Sequence, residues 1–255
     1  MRAERAVNAG DLARYRLPGM KRQVGRALDV IEAALARGRL GVSFSGGKDS
    51  TVLLALARTL DADVPAGWFD SGCEYPETEA FVRETGADVL LPQRPLLEML
   101  RAGGYWGYRG PDADPDLKFD FRAFLVNEPS RQFVVRRGLS TVAIGLRAEE
   151  SAGRRMLAKA RGRLHAVRSQ DCWQAYPLMD WRGEDVWAFL AGRGLPYNPV
   201  YDRMAQAGVP REEWRVSTLL GEAGVSLGRL ARLRTLYPPL YRQLAAEFPR
   251  IGDFT

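Results

Sequence analysis

The chemically most pointed stretch of the chain is Ser43-Phe44-Ser45-Gly46-Gly47-Lys48-Asp49-Ser50. Two adjacent glycines let the backbone turn tightly and present N–H groups with no Cβ in the way, and a helix N-terminus directly after them adds positive dipole character. Together these make an anion cradle. Ser45 and Ser50 bring hydroxyl donors, and Lys48 brings a point charge on a flexible stem, which suits phosphate oxygens. Asp49 is the odd member: a carboxylate beside a polyphosphate repels it, so Asp49 is either a first-turn capping residue or a group linked to Mg²⁺. The spacing differs from the GxxxxGK[ST] loop of nucleoside triphosphatases. A second concentration of cations, Arg147, Arg154 and Arg155, offers planar forks that can grip phosphate or sulfate oxygens bidentately. Glu149 and Glu150 beside them would orient an arginine or a metal-bound water; the alternative is a solvated, arginine-rich loop.

These groups need elements to hold them. Leu40 to Phe44 is a short apolar run entering the glycine turn, and Thr51 to Leu60 is apolar at helical spacing, so the unit reads strand, glycine loop, helix. Before it, Lys21 to Ala36 sets Val24, Ala27, Leu28, Ile31 and Leu35 on one helical face and stops near Gly38. After it come a strand over Val64–Phe69 ending at Asp70, a helix over Pro76–Thr85 opened by proline, and strands at Asp88–Leu91 and Ser140–Ile144, the last ending at Gly145. Asp180-Trp181 followed by Asp185 starts a helix with Val186, Phe189 and Leu190 facing the core, and Trp181 and Trp187 read as packing residues. Alternating strands and helices predict an α/β fold, a doubly wound, Rossmann-like and mostly parallel sheet with helices on both faces, with ligands at the strand carboxyl ends. The segment 103–115, GGYWGYRGPDADP, reads as an ordered surface loop or a lid. Leu227, Leu230, Leu233 and Leu236, then Tyr237-Pro238-Pro239, indicate a C-terminal helical subdomain over 203–255, leaving 1–202 as the α/β domain that carries the anion cradle, with a helical lead-in over 1–38.

The 255 residues, 46% hydrophobic and 27% charged, suit one large α/β domain with an appended subdomain. No apolar run approaches the roughly 20 residues that span a bilayer, and the residues after Met1 lack the apolar core of an export signal, so a cytoplasmic protein without membrane association is expected. Two cysteines, Cys73 and Cys172, exclude a disulfide scaffold and any all-cysteine four-ligand metal site within the chain. Cys73, three residues past Asp70, is either a reactive thiolate able to accept sulfur or a small packing residue, the second being favoured; Cys172 reads as core. The single histidine, His165, sits among arginines and reads as a surface or phosphate-contacting group. The net charge of +6 comes almost wholly from arginine. Nine basic residues (Arg2, Arg5, Arg14, Arg16, Lys21, Arg22, Arg26, Arg37 and Arg39) face four acidic ones (Glu4, Asp11, Asp29 and Glu32) in the N-terminal segment. The C-terminal helices carry eight against five, Glu222 among the acids. Weak, sequence-indifferent, salt-sensitive DNA binding is expected of such surfaces.

Ser45-Gly46-Gly47-Lys48-Asp49-Ser50 resembles the pyrophosphate-binding loop of the adenine-nucleotide α-hydrolase superfamily, which includes ATP pyrophosphatases and phosphoadenosine phosphosulfate reductases. Three further segments are similar to the reductase branch in the same order: Phe69-Asp70-Ser71-Gly72-Cys73-Glu74-Tyr75-Pro76-Glu77-Thr78, Gly145-Leu146-Arg147-Ala148-Glu149-Glu150-Ser151 with Arg154, and the run from Tyr176 to Asp202 with its Asp180-Trp181, Asp185-Val186 and Leu195-Pro196-Tyr197-Asn198-Pro199-Val200-Tyr201-Asp202. The resemblance implies ATP and Mg²⁺ as ligands. It implies a nucleotide-binding set of Ser43, Ser45, Gly46, Gly47, Lys48, Asp49, Ser50, Asp70, Gly145, Arg147, Glu150 and Ser151. Lys48, Asp49, Arg147 and Arg154 would carry the chemistry and Asp49 would meet the metal. Reductases of the family resemble one another in a C-terminal catalytic cysteine, whereas no cysteine follows Cys172 here. Arg215-Val216-Ser217-Thr218 stands where related nucleic-acid-modifying proteins carry a cysteine pair, so no iron–sulfur cluster is expected. The expected activity is ATP cleavage between the α- and β-phosphates, as in the ATP pyrophosphatases of DNA phosphorothioation systems, with protein partners from a sulfur-transfer or DNA-modification pathway. The alternatives are an ATP-sulfurylase small subunit, a reductase-like enzyme, and a non-catalytic nucleotide sensor in a DNA-acting complex.

Overall fold

The computed structural model describes residues 5–217 and 227–254; Arg2, Glu4, Thr218, Glu222 and Thr255, which entered the sequence reading, lie outside the described residues. The lead-in forms α1 (Ala9–Tyr15) and α2 (Pro18–Leu35), the latter opened by proline at a position whose amide needs no partner. Then follow β1 (Leu40–Ser43), α3 (Lys48–Leu60), β2 (Ala66–Phe69), α4 (Pro76–Glu84), β3 (Asp88–Leu90), α5 (Leu96–Ala102) and α6 (Glu128–Arg137). The second half runs β4 (Thr141–Ile144), α7 (Ala152–Arg161), β5 (Leu164–Val167), β6 (Cys172–Ala175), α8 (Gly183–Arg193), α9 (Val200–Gln206), α10 (Leu227–Leu236) and α11 (Pro238–Glu247). None of the described helices is long and apolar enough to cross a membrane.

The six strands lie in the order β3-β2-β1-β4-β6-β5, every pairing parallel except β5 with β6. The chain therefore winds outward in two directions from the β1/β4 boundary, where a doubly wound sheet opens a crevice at its strand carboxyl ends. Side chains alternate between the faces. Leu40, Val42, Ala66 and Ala143 point into the larger core, whose helices include α2, α3 and α8, while Val142 and Leu90 join Phe133 of α6 in a second buried cluster on the other face. Helices on both faces of a mostly parallel sheet are thus the observed fold. Buried residues Leu230, Leu233, Leu244 and Phe248 of the C-terminal region belong to the larger core, and residue 202 falls inside α9.

Phe133, fully buried, is accommodated because β1 and β2 carry glycine beneath it. A Cβ at Gly67 would lie 2.7 Å from its ring and one at Gly41 2.9 Å. Gly67→Ala is therefore expected to destabilise the fold by about 1–3 kcal/mol through overpacking, read as a lowered urea midpoint with an unchanged slope.

Several elements correct the sequence reading. His165 lies in β5, paired with Gln174 across an antiparallel ladder and 5.5 Å from the ring of Tyr176, so it is part of the sheet and its ring packs there. Arg154 and Arg155 lie in the first turns of α7, and the run after Gly145 is a loop only as far as Ser151. The segment 103–115 keeps its loop reading and is strapped to the C-terminal residues: Trp106 is buried edge-on against Phe248, and its carbonyl accepts the Arg250 amide at 2.8 Å.

Candidate active site

Helix α3 begins at Lys48, inside the glycine turn, because Gly47 caps it in extended conformation and its carbonyl accepts both the Ser50 hydroxyl (3.0 Å) and that of Thr51 (2.9 Å). Lys48, Asp49 and Ser50 thus form the first helical turn, whose amides have no partner within the helix. Gly46 holds φ at +70°, and a Cβ there would come 3.1 Å from Val82 and 3.2 Å from Thr78, so this corner requires glycine. Its carbonyl accepts from the wholly buried Asn198, whose amide also donates to Thr78 (2.9 Å). The Ser45 amide donates to the Ser50 hydroxyl at 3.2 Å and the Gly47 amide to the Ser45 hydroxyl at 3.3 Å. Sequence reasoning assigned the turn's amides to an anion, but the Lys48 amide donates to the phenol of buried Tyr201 at 2.9 Å. Burial pushes the Tyr201 phenol up, with the Asp49 charge adding to the effect.

The charged groups form one connected series. Lys48 donates to Asp49 Oδ2 at 2.6 Å, and Arg147 Nε reaches Asp49 Oδ1 at 2.5 Å. The same Arg147, its side chain 5% exposed, pairs with Glu149 and, at 3.4 Å, with Glu150, which also pairs with Arg154. Glu149 in turn accepts the Gly183 amide of α8 at 2.6 Å. Gly145 makes the approach possible: a Cβ there would sit 3.1 Å from the Asp49 backbone, so the end of β4 packs directly on the first turn of α3. Burial lowers the Lys48 pKa, opposed by Asp49 and reinforced by Arg147. Burial likewise lowers that of Arg154, with Arg147 reinforcing it. Arg215 acts on both groups, a fourth cation at the site that sequence reasoning passed over.

The remaining sequence-selected residues lie around this series. Ser43 ends β1, and Asp70, at the end of β2, accepts the Gly72 amide at 2.8 Å. Ser151 caps α7, its hydroxyl accepting the Arg154 amide at 3.2 Å. Cys73 is 5% exposed and Cys172, in β6, 6%; burial pushes the Cys172 thiol up. Among the described residues no group of three or more His, Cys, Asp or Glu side chains gathers as a metal cage. Many basic residues counted toward a nucleic-acid surface are engaged within the chain. Arg14 pairs with Asp185 (2.7 Å), Arg211 with Asp11 (2.6 Å) and Arg203 with Glu77 (2.5 Å), while Arg37 stacks on Trp173.

Sequence reasoning also passed over Glu74, Thr78, Asn198 and Tyr201, although all four stood in the segments that carry the resemblance. For Glu74 and Asn198 the signal was available in a polar residue flanked by Cys73 and Tyr75 or by Tyr197 and Pro199. Glu74 pairs antiparallel with Ser217, and Thr78 donates to the Val216 carbonyl at 2.9 Å, which docks the segment bearing Arg215 beside the glycine turn. Burial pushes the Glu74 carboxyl up to about 7, against the pull of the Ser71 hydroxyl bond and with Asp70 adding to the rise. The folded protein therefore holds this proton more tightly than the unfolded chain. Its contribution to stability is fully present below the ordinary value of 4.5 and is lost as pH rises through about 7. Glu74→Gln is expected to melt above the wild type at about pH 8, with the gap closing toward about pH 5, in a thermal-shift series across that range.

The phosphoadenosine phosphosulfate reductase domain model matches residues 39–255. An uncharacterized protein of Methanocaldococcus jannaschii is 26% identical over 214 residues, 84% of this chain and 48% of that one. A phosphoadenosine 5'-phosphosulfate reductase of Xanthomonas campestris is 28% identical over 225 residues, 78% of this chain and 87% of that one. The chain spans about half the length of the archaeal relative, and 59% of an uncharacterized Escherichia coli relative that is 28% identical to it. The phosphoadenylyl-sulfate reductase of Candida auris, solved as a phosphate complex, superposes with a TM-score of 0.51 at 18% identity, covering 69% of this chain and 83% of that one, a likeness of fold.

Proposed function

The chain belongs to the phosphoadenosine phosphosulfate reductase domain family, and from that premise we propose that it binds Mg·ATP at the β1/β4 boundary and cleaves it between the α- and β-phosphates. The products are pyrophosphate and either AMP or an adenylylated acceptor. The observation that carries this reading is the unbroken series of ion pairs from Lys48 through Asp49, Arg147 and Glu150 to Arg154, laid along the helix start that follows the glycine turn. Cationic donors held in place before the bond breaks are what a leaving pyrophosphate needs, and phosphoryl chemistry asks little else of a protein beyond positioning. An oxygen nucleophile attacks the α-phosphorus, the bond to the bridging oxygen breaks, and its electron pair leaves with pyrophosphate. Lys48, on a flexible stem, turns from Asp49 to that leaving group. Arg147, gripped by three carboxylates, keeps its place beside the α-phosphate, with Arg154 next to it. Asp49 Oδ2, released by Lys48, would hold the Mg²⁺ that arrives with the nucleotide, and the ion would supply charge neutralisation. Ser43, Asp70 and Gly145, at the strand ends, would face the nucleoside, and Ser45 in the turn would face the phosphates.

The pathway proposed is sulfur incorporation, with DNA phosphorothioation as the leading case and a sulfur donor supplied by a partner protein. The burial of both cysteines supports assigning the sulfur chemistry to that partner. Incubation with α-labelled ATP and Mg²⁺ tests the reading: AMP and pyrophosphate are expected, whereas ADP, or tight binding without turnover, would sink it. Sulfate-dependent pyrophosphate exchange would mark a sulfurylase instead, and thiol-dependent sulfite release a reductase.

A further inference from the structure

On the Arg154 side of the site lies a cavity of about 610 Å³, within the size range of small-molecule pockets. Its walls are largely apolar, with Leu125, Val126, Leu146 and Leu157 among them; its charged side chains are Arg122 and Arg154, and no carboxylate is among the described residues that line it. We propose that this cavity binds the acceptor of the adenylyl group, and that the acceptor is a flat, apolar or aromatic anion.

Three observations converge on that assignment, which rests on the cleavage proposed above. First, the cavity adjoins the ion-paired series. Leu146 directly follows Gly145 at the end of β4, and Arg154 is both a cavity wall and the last member of the ion-paired series, held there by Glu150. Second, Leu125 and Val126 sit in the π-helical stretch Ala123–Asn127 that leads into α6, and Val126 leaves 39% of its surface exposed. Wide turns of this kind recur at functional sites, and an apolar side chain left open at a cavity mouth loses water when a ligand arrives. Third, the sign of the lining is uniform: an apolar body buries against the walls while an anionic group meets the arginines, which cannot lose their charge. The anionic oxygen is then the nucleophile. It forms a bond to the α-phosphorus as the bond to the bridging oxygen breaks and pyrophosphate carries away the electron pair, so no oxidant or reductant is required.

The adenine base is the competing occupant and gives a different result. The probe is 1-anilinonaphthalene-8-sulfonate, an aromatic anion, titrated into the full chain saturated with α,β-methylene-ATP, which cannot be split at the bond in question. Val126→Trp fills the cavity, and Val126→Glu, at a position already partly exposed, sets a carboxylate at its mouth. Both are expected to weaken one dye site by about tenfold or more while the affinity for α,β-methylene-ATP changes by less than about twofold. Dye held on other apolar surfaces is unmoved by either substitution. Wild-type protein without a dye site, a dye site unchanged in both variants, or nucleotide affinity that falls together with dye binding would each overturn the proposal, the last by giving the cavity to the base. Failure of the wild type to bind or split ATP would overturn the cleavage reading instead, and is seen without the dye.

Discussion

Lys48→Ala is expected to lower pyrophosphate release from ATP by about 10²- to 10³-fold or more while the protein stays folded, the magnitude seen when one fixed donor to a developing oxyanion is removed. The separation of the two effects follows from the site's geometry. Lys48 makes one pair, with Asp49, and Asp49 keeps Arg147 at 2.5 Å when the lysine is gone, so no carboxylate is left without a cation. Burial already lowers the lysine's pKa, so the residue contributes charge in a place where charge is costly to hold, as expected for a group whose task is to meet an anion. The measurement is a single-turnover assay on α-labelled ATP, with circular dichroism and melting temperature as the folding control. Full turnover in a folded variant would remove the glycine turn from the chemistry.

Arg147→Met should cost both turnover and stability. The guanidinium is buried and binds Asp49, Glu149 and Glu150 together. Removing one partner of a buried ionic cluster leaves uncompensated charge, which typically costs about 3–5 kcal/mol. Here Lys48 still holds Asp49, Arg154 still holds Glu150, and Glu149 is 43% exposed, so about 2–3 kcal/mol is the expected loss. Turnover should fall by about 10²-fold or more, because the variant loses a fixed positive charge beside the α-phosphate and releases the end of β4 from the first turn of α3. Arg147→Lys separates the two roles: a point charge restores part of the stability but cannot fork across three carboxylates, so turnover should stay low. Urea unfolding read beside the same labelled-ATP assay checks both. A variant as stable and as active as the wild type would mean that the ion-paired series is only a surface feature.

The elements legible from sequence are those whose signal lies within a few residues. The apolar strand before Ser45, the two glycines and the helical spacing from Thr51 to Leu60 each specify a local conformation by side-chain period or backbone freedom, so β1, the turn and α3 could be read directly. The elements left unassigned lacked such a signal. Strand β6 is four residues, Cys-Trp-Gln-Ala, extended because β4 and β5 offer it ladders on both sides. Helix α7 carries Met156 and Leu157 on an arginine-rich surface helix that buries no residue, and α6 is anchored through Phe133 and Val134 while the adjacent Val135 is exposed, so in neither does the apolar pattern coincide with what is buried. The sequence by itself determined that Ser45, Lys48, Asp49 and Ser50 share one tight turn, and that the turn opens a helix. Only the tertiary structure decided their partners: Arg147 meets Asp49 across 98 residues and Tyr201 takes the Lys48 amide across 153. Backbone torsions and periodicity are encoded locally. The placement of β4 beside β1, and the docking of Asn198, Tyr201 and Arg215 against the turn, depend on how distant segments pack around one core.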